Sequence, residues 1–250
     1  MGSTSSTYNL GESELAGFYY GIPGAFRDAW EMALFTKQFG LEEAINDELR
    51  PKGVFYMADK SVSTELVLKR ELSDDTNLGG IKIRSSGILV DFLGAAGFMP
   101  QAIAGPELYQ ALATGVVDGA HWGGPAGAMS MKLWEVAPVH MRQSLVISNE
   151  TYVINVKAYE ALPDDLRAIF RTLLEERFYA RTMETKLENA KAIKFGRESA
   201  DLKVRDFPDP VMARFDEASK VVLEKEMEKG DRARRIGEKL IEFRKELGHA

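Results

Sequence analysis

Two short stretches carry the side chains most suited to chemistry. The first is Ile81-Lys82-Ile83-Arg84-Ser85-Ser86-Gly87, and the second is Val117-Asp118-Gly119-Ala120-His121-Trp122-Gly123-Gly124-Pro125. An arginine at a strand mouth can grip a carboxylate through two parallel hydrogen bonds. The alternation before Arg84 reads as a strand ending in a Ser-Ser-Gly turn, and the apolar run before Trp122 as a strand ending in a Gly-Gly-Pro turn. In an α/β sheet, two such strand ends separated by helices meet at one edge. That is the edge where these sheets bind ligands. The chemistry implied is the holding of a small acid.

Each candidate has a second reading. Arg84 is either a carboxylate clamp or a solvated ion pair at a strand end. Trp122 either stacks on a ligand or fills the core. His121 either donates to a ligand or is a satisfied structural histidine. Ser86 belongs to the turn beside Arg84. Tyr109 shares a helix with Leu108 and Leu112, so it is core or site. Tyr19, with Phe18 and Tyr20, forms an aromatic cluster that could line an opposite wall. The pairs Asp74-Asp75 and Asp164-Asp165 resemble catalytic carboxylates only superficially. The first lies in a polar loop, and the second suits a helix N-terminus, where acids complement the macrodipole. No phosphate loop, zinc-protease signature or nucleophile elbow occurs. No catalytic residue is therefore assigned. The reading from another class is an α/β enzyme acting on an organic acid with His121 as acid–base. It requires a second catalytic group that the sequence does not supply.

The elements that must position these residues follow from the pattern. The apparent order over residues 81–156 is β-α-β-α-β-α-β, with helices over 88–96, 106–113 and 129–137. Residues 13–50 read as helical and Val54–Ala58 as a buried strand. Residues 64–72 read as irregular or briefly helical. After Pro163-Asp164-Asp165, apolar residues Leu166, Ile169, Phe170, Leu173, Leu174, Phe178, Leu187 and Ile193 keep a helical spacing. That predicts one helix to about residue 199, roughly 50 Å long at 1.5 Å per residue, which would brace two lobes. Gly196 is the expected place for it to fray. Residues 202–207 read as a strand and 210–247 as amphipathic helix.

Composition narrows the classes. The chain has 250 residues, 45% hydrophobic and 28% charged, which suits a large packed core. The net charge of −6 argues against nucleic acid as a partner. There are no cysteines, so disulfides, thiolate metal sites and cysteine nucleophiles are excluded. No apolar run approaches the ~20 residues of a membrane span. The start, Met1 to Thr7, lacks the basic and apolar regions of a signal peptide.

The order of KIRSSG, LGAAG, GPELYQALATGVVDGAHWGGP, LWEVA and ISNETYVINVKAYEALPDDLRAIF, followed by a very long helix, resembles the DctP-type solute-binding proteins of TRAP (tripartite ATP-independent periplasmic) transporters. The resemblance covers most of residues 78–205. It implies a periplasmic-binding-protein-like (type II) α/β fold with two lobes and a long bracing helix. It implies a periplasmic receptor that holds a small organic acid, a 2-oxo or 2-hydroxy monocarboxylate or a dicarboxylate, and delivers it to TRAP permease subunits. Arg84 in its KIR context would be the anchor, with Trp122, His121, Ser86, Tyr109 and Tyr19 around the ligand. Residues 1–77 resemble only the later part of a first lobe, so the expected division is 1–83 for an incomplete first lobe, 84–155 for the second, and 156–250 for the long helix and C-terminal elements. An edge left by missing strands would favour a homodimer. Some relatives carry a carboxylate before the tryptophan that helps hold a metal ion. This chain has His121 there, which puts a bound cation in doubt: no cofactor and no metal-ligating residue are expected, with a cation bridging ligand and protein left as the alternative.

Overall fold

The computed structural model describes residues 1–9 and 11–249. Its strands are β1 (Gly2–Ser5), β2 (Val54–Thr64), β3 (Leu66–Leu68), β4 (Lys82–Ser85), β5 (Met99–Ala102), β6 (Gly119–His121), β7 (Val139–Met141), β8 (Val146–Asn155) and β9 (Lys203–Arg205). Its α-helices are α1 (Ala16–Tyr20), α2 (Ala29–Lys37), α3 (Leu41–Leu49), α4 (Ile88–Ala95), α5 (Leu108–Ala113), α6 (Pro125–Ser130), α7 (Val156–Glu160), α8 (Asp164–Ser199), α9 (Asp209–Met227) and α10 (Asp231–Glu246). The chain divides into two units, each with its own sheet. The first comprises residues 1–62, 147–184 and 223–250, and the second residues 63–146 and 185–222.

The second unit is built on a six-stranded mixed sheet in the order β5-β4-β6-β3-β7-β9. β4 runs parallel to β5 on one side and to β6 on the other, with Arg84 opposite Gln101 and Ala120. Chain order places β5 first on one flank and β6 next on the other, so the direction of strand addition reverses at β4. β3 then pairs antiparallel with both β6 and β7. The core on this sheet gathers Leu108, Leu112, Val117, Leu133 and Trp134, with Trp122 packed half-buried against it. At about 25 cal/mol per Å² of apolar surface removed from water, these large side chains are the main stabilising contribution.

The first unit holds a three-stranded sheet, β1-β8-β2. Phe55, Met57, Tyr152 and Ile154 from β2 and β8 pack with Tyr159 of α7 and Leu174 of α8. A second aromatic group joins Phe26, Phe35 and Phe39 to Phe243 of α10.

Several elements differ from the sequence reading. Residues 13–50 form three helices, with left-handed Gly40 between α2 and α3. The stretch after Thr64 forms β3, an inner strand whose three residues are all buried. The polar start forms β1, which pairs with β8 from Gly2 opposite Val153 to Ser5 opposite Glu150. The helix expected over 129–137 is absent. α6 ends at Ser130 and Lys132 takes a left-handed φ of 55°, after which a single 3-10 turn carries Leu133 and Trp134 inward. Residues 210–247 split into α9 and α10 around Gly230. The units also change over at 62/63, 146/147, 184/185 and 222/223 instead of the expected 83/84 and 155/156. At the first of these, β3 pairs between β6 and β7 and draws residues 66–68 into the second sheet.

α8 is one helix of 36 residues, as the spacing predicts. Its buried face is not the whole apolar stripe. Leu174, Phe178 and Ala192 are buried, whereas Leu166, Ile169, Leu173 and Leu187 are exposed. Nor does the helix fray at Gly196. That glycine is buried, and a Cβ built there would lie 2.6 Å from Leu202 Cδ2 and 2.8 Å from Trp134 Cζ3. Gly196→Ala would add about 1 kcal/mol of helix propensity at an exposed site. Here the methyl must displace the Trp134 ring, and overpacking of this kind typically costs about 1–3 kcal/mol. The variant is expected to be net destabilised in urea denaturation, and a stabilised variant would contradict the packing described.

Candidate functional site

The carboxyl ends of β5, β4 and β6 lie side by side, and Arg84 stands at their centre. Its side chain is only 3% exposed. A guanidinium cannot be neutralised at any ordinary pH, so its burial must be compensated by oriented dipoles. Nε donates to the Ile103 carbonyl just past β5, at 2.8 Å, and Nη1 donates to the His121 carbonyl at the end of β6, at 3.3 Å. The guanidinium carbon lies 5.4 Å from the centre of the Trp122 ring, within cation–π range. Thus strand ends on both flanks of β4 fix the plane of one side chain.

Trp122 is placed by a close approach. A Cβ at Gly105 would fall 2.5 Å from Trp122 Cη2 and 2.8 Å from Cζ3. Only glycine lets the indole lie against the turn that precedes α5.

His121 is buried beside this group. Its Nε2 and Ser85 Oγ are 3.0 Å apart, and Ser85 is fully enclosed. Burial pushes the imidazole pKa down to about 3, and the nearby Arg84 charge adds to the effect. His121 is therefore neutral at any physiological pH. With so low a pKa it is a poor general base near neutrality, which weakens the acid–base reading.

The remaining expected residues separate from this group. Ser86 follows β4 directly and is half-buried. Gly87, at a left-handed φ of 57°, then leads into α4, which has no side-chain cap. The Tyr109 hydroxyl donates to Glu135 Oε2 at 3.0 Å, and this bond raises its pKa. Tyr19 belongs to the first unit and is fully enclosed, with its hydroxyl donating to Glu42 Oε2 at 3.0 Å. Burial, more than the Glu42 charge, holds its proton well above the ordinary phenol range. Its cluster mates Phe18 and Tyr20 are buried as well.

Sequence reasoning missed Ser85, Gly105 and the Ile103 carbonyl. Ser85 had a signal in its place next to Arg84 on the alternating strand. Gly105 directly precedes the proline that opens a helical turn, which masked its role in seating Trp122. A backbone acceptor leaves no trace in residue type.

Two predictions follow from this geometry. Gly105→Ala should displace the Trp122 indole, seen as a shift in tryptophan fluorescence with little change in far-ultraviolet circular dichroism. The second concerns acid stability. Unfolded, His121 takes a proton near its ordinary value of 6.5, whereas folded it stays neutral to about 3. Between those values the unfolded state binds more protons, so His121 makes stability fall as pH drops from about 6.5 toward 3. His121→Asn should flatten that part of the stability–pH curve, measured by denaturant titration from pH 7.5 to 4.5. An unchanged slope would contradict a buried neutral imidazole.

Comparison with known proteins places the chain in a family. The profile for DctP, bacterial extracellular solute-binding protein family 7, matches residues 2–230. A monocarboxylate 2-oxoacid-binding periplasmic protein of Nostoc sp. is 26% identical over 179 residues, covering 70% of this chain and 49% of that protein. The C4-dicarboxylate-binding periplasmic protein DctP of Rhodobacter capsulatus is 29% identical over 143 residues, covering 55% of this chain and 41% of that protein. The chain thus spans about half the length, or less, of these curated relatives. Among solved structures, a TRAP periplasmic solute-binding protein of Pseudoalteromonas atlantica with bound sodium and pyruvate has a TM-score of 0.86 at 24% identity, covering 98% of this chain and 76% of that one. Another from Colwellia psychrerythraea, with bound calcium and pyruvate, has a TM-score of 0.89 at 22% identity, with the same coverages. The α/β fold is that of these proteins, and with a family profile running over nearly its whole length the chain belongs to the DctP family of bacterial extracellular solute-binding proteins.

Proposed function

We propose that this chain is a periplasmic receptor that captures a small organic acid on Arg84 and delivers it to the membrane permease of a TRAP transporter. The observation that carries the reading is the buried guanidinium, oriented by two carbonyls and backed by an indole, at the carboxyl ends of three parallel strands. That edge, beside the strand where the order of addition reverses, is where ligands settle in sheets of this type. A carboxylate is the natural complement to a planar guanidinium. The uncapped start of α4, two residues past Ser86, adds a favourable partial charge for an anion. The relatives named for 2-oxo monocarboxylates and C4-dicarboxylates support a small acid as ligand. Among the described residues, no helix is long and apolar enough to cross a membrane, so the permease is a separate partner in this reading.

The protein binds without transforming its ligand. Arg84 supplies the charged contact, Trp122 shields it from water, and Ser85 with His121 stiffens the strand ends beneath. Ser86, at the turn, would donate to the ligand in this reading. A low dielectric around Arg84 strengthens its contact with an anion. No member of the Arg84 group is both titratable near neutral pH and positioned to move a proton. Turnover of a bound acid, followed by proton nuclear magnetic resonance, would favour the enzyme reading instead.

Calorimetric titration of pyruvate, lactate, succinate and malonate into the chain tests the proposal. One of them is expected to bind and to be recovered unchanged. Arg84→Ala should weaken that binding by at least about 30-fold, corresponding to the roughly 2–5 kcal/mol of a truncated charge pair. Arg84→Lys should be nearly as harmful, because an ammonium cannot make the planar two-point contact. Unchanged affinity in Arg84→Ala, with circular dichroism intact, would sink the assignment.

A further inference from the structure

Two structures of similar fold hold a cation together with pyruvate, sodium in one and calcium in the other. Such hard cations are bound by several oxygen ligands, with carboxylates prominent among them. The polar groups gathered at Arg84 are of another kind. The Ile103 and His121 carbonyls already accept from the guanidinium. Ser85 Oγ and His121 Nε2 are bonded to each other. The side chain at the strand end next to Trp122 is an imidazole, a nitrogen donor that hard cations disfavour. Among the described residues, no group of three or more His, Cys, Asp or Glu side chains is arranged to hold a metal ion. A cation at this edge would also meet the positive field of Arg84 in a partly desolvated setting, where like charges repel strongly. The donor set therefore does not fit the cation.

We infer that this chain holds its acid directly on Arg84 without a bridging cation, and that the hydrogen-bonded His121–Ser85 pair is what denies a cation its ligands. The inference rests on the receptor reading above and narrows it. His121 acts here by position: its carbonyl orients Arg84, and its ring, engaged by Ser85, offers no anionic oxygen. The uncharged state of the ring, set by burial and by Arg84, agrees with this role.

The test has two arms. In the first, the tightest-binding acid among pyruvate, lactate, succinate and malonate is titrated into protein in sodium buffer, in buffer containing calcium, and in choline buffer after chelator treatment. Affinity should stay the same within about twofold. A loss of tenfold or more in choline, restored by sodium or calcium, overturns the inference while leaving the receptor reading intact. In the second arm no acid is used. Calcium is added to the parent chain and to His121→Glu, and thermal unfolding is followed. Calcium is expected to stabilise the variant, which gains a carboxylate, and not the parent. Stabilisation of both overturns the inference, and stabilisation of neither overturns the role given to His121. If no acid binds under any condition, the receptor reading fails, and the calcium arm still decides whether the parent chain offers a cation site.

Discussion

The second unit is organised around one demand, that a permanent positive charge be kept almost entirely out of water. Arg84 cannot shed its proton, so the fold must supply compensation from whatever lies within reach. Two backbone carbonyls and an aromatic face contribute to it, and they come from the ends of the two strands that flank β4. This requirement explains the arrangement around it. β5 and β6 must flank β4 in register, Gly105 must leave room for the indole, and β6 must end where its carbonyl can face the guanidinium. Each feature is modest alone. Together they hold a charged group in one orientation, and such preorganisation is what the proposed capture of a small acid would draw on.

A charge held this way dictates its neighbours. Burial keeps the imidazole beside Arg84 neutral, and the guanidinium charge adds to the effect, since a second cationic group close by would raise the cost of both. Its hydrogen bond to Ser85 joins β4 to β6 beneath the site. Deeper in the same unit, Trp134 Nε1 donates to His140 Nδ1 at 3.2 Å, which leaves Nε2 to donate to Glu65 Oε2 at 2.7 Å. His140 is thus a satisfied core residue, tying β7 to the end of β3. The two histidines illustrate how one residue type packs beside a buried guanidinium in one place and within the scaffold in another.

The first unit solves a similar problem with paired charges. Lys37 is nearly buried, donating to both oxygens of Glu42 and to Glu175 while lying 4.9 Å from the centre of the Phe178 ring. Glu42 also accepts from the Tyr19 hydroxyl and from the Ala58 amide. Every member is engaged, and a fully satisfied buried network rigidifies its surroundings. Tyr19 is accordingly part of the scaffold that joins α1, α2, α3, β2 and α8.

The α/β class, the strands at residues 82–85 and 119–121, the long helix from Asp164 to Ser199 and the pairing of Arg84 with Trp122 were all legible in the residues. Each rests on a local signal: alternation, helical spacing, a proline-led acidic start, or a charged side chain at a strand mouth. What the chain order could not convey was set by partners far along it. The polar β1 exists because β8 offers it an edge. β3 exists because β6 and β7 enclose three apolar residues too few to show a period. Of two apolar rows on α8, packing chose the one bearing Leu174 and Phe178, since both rows have the same 3–4 spacing. Tyr19, like Trp122, reads as an aromatic that could line a ligand, yet Glu42 and Lys37, more than fifteen positions away, enclose it in a core. The Ile103 carbonyl has no identity in the sequence at all. Local physics sets which elements form, while burial and hydrogen bonding between distant segments decide which side chains they hide and which they present.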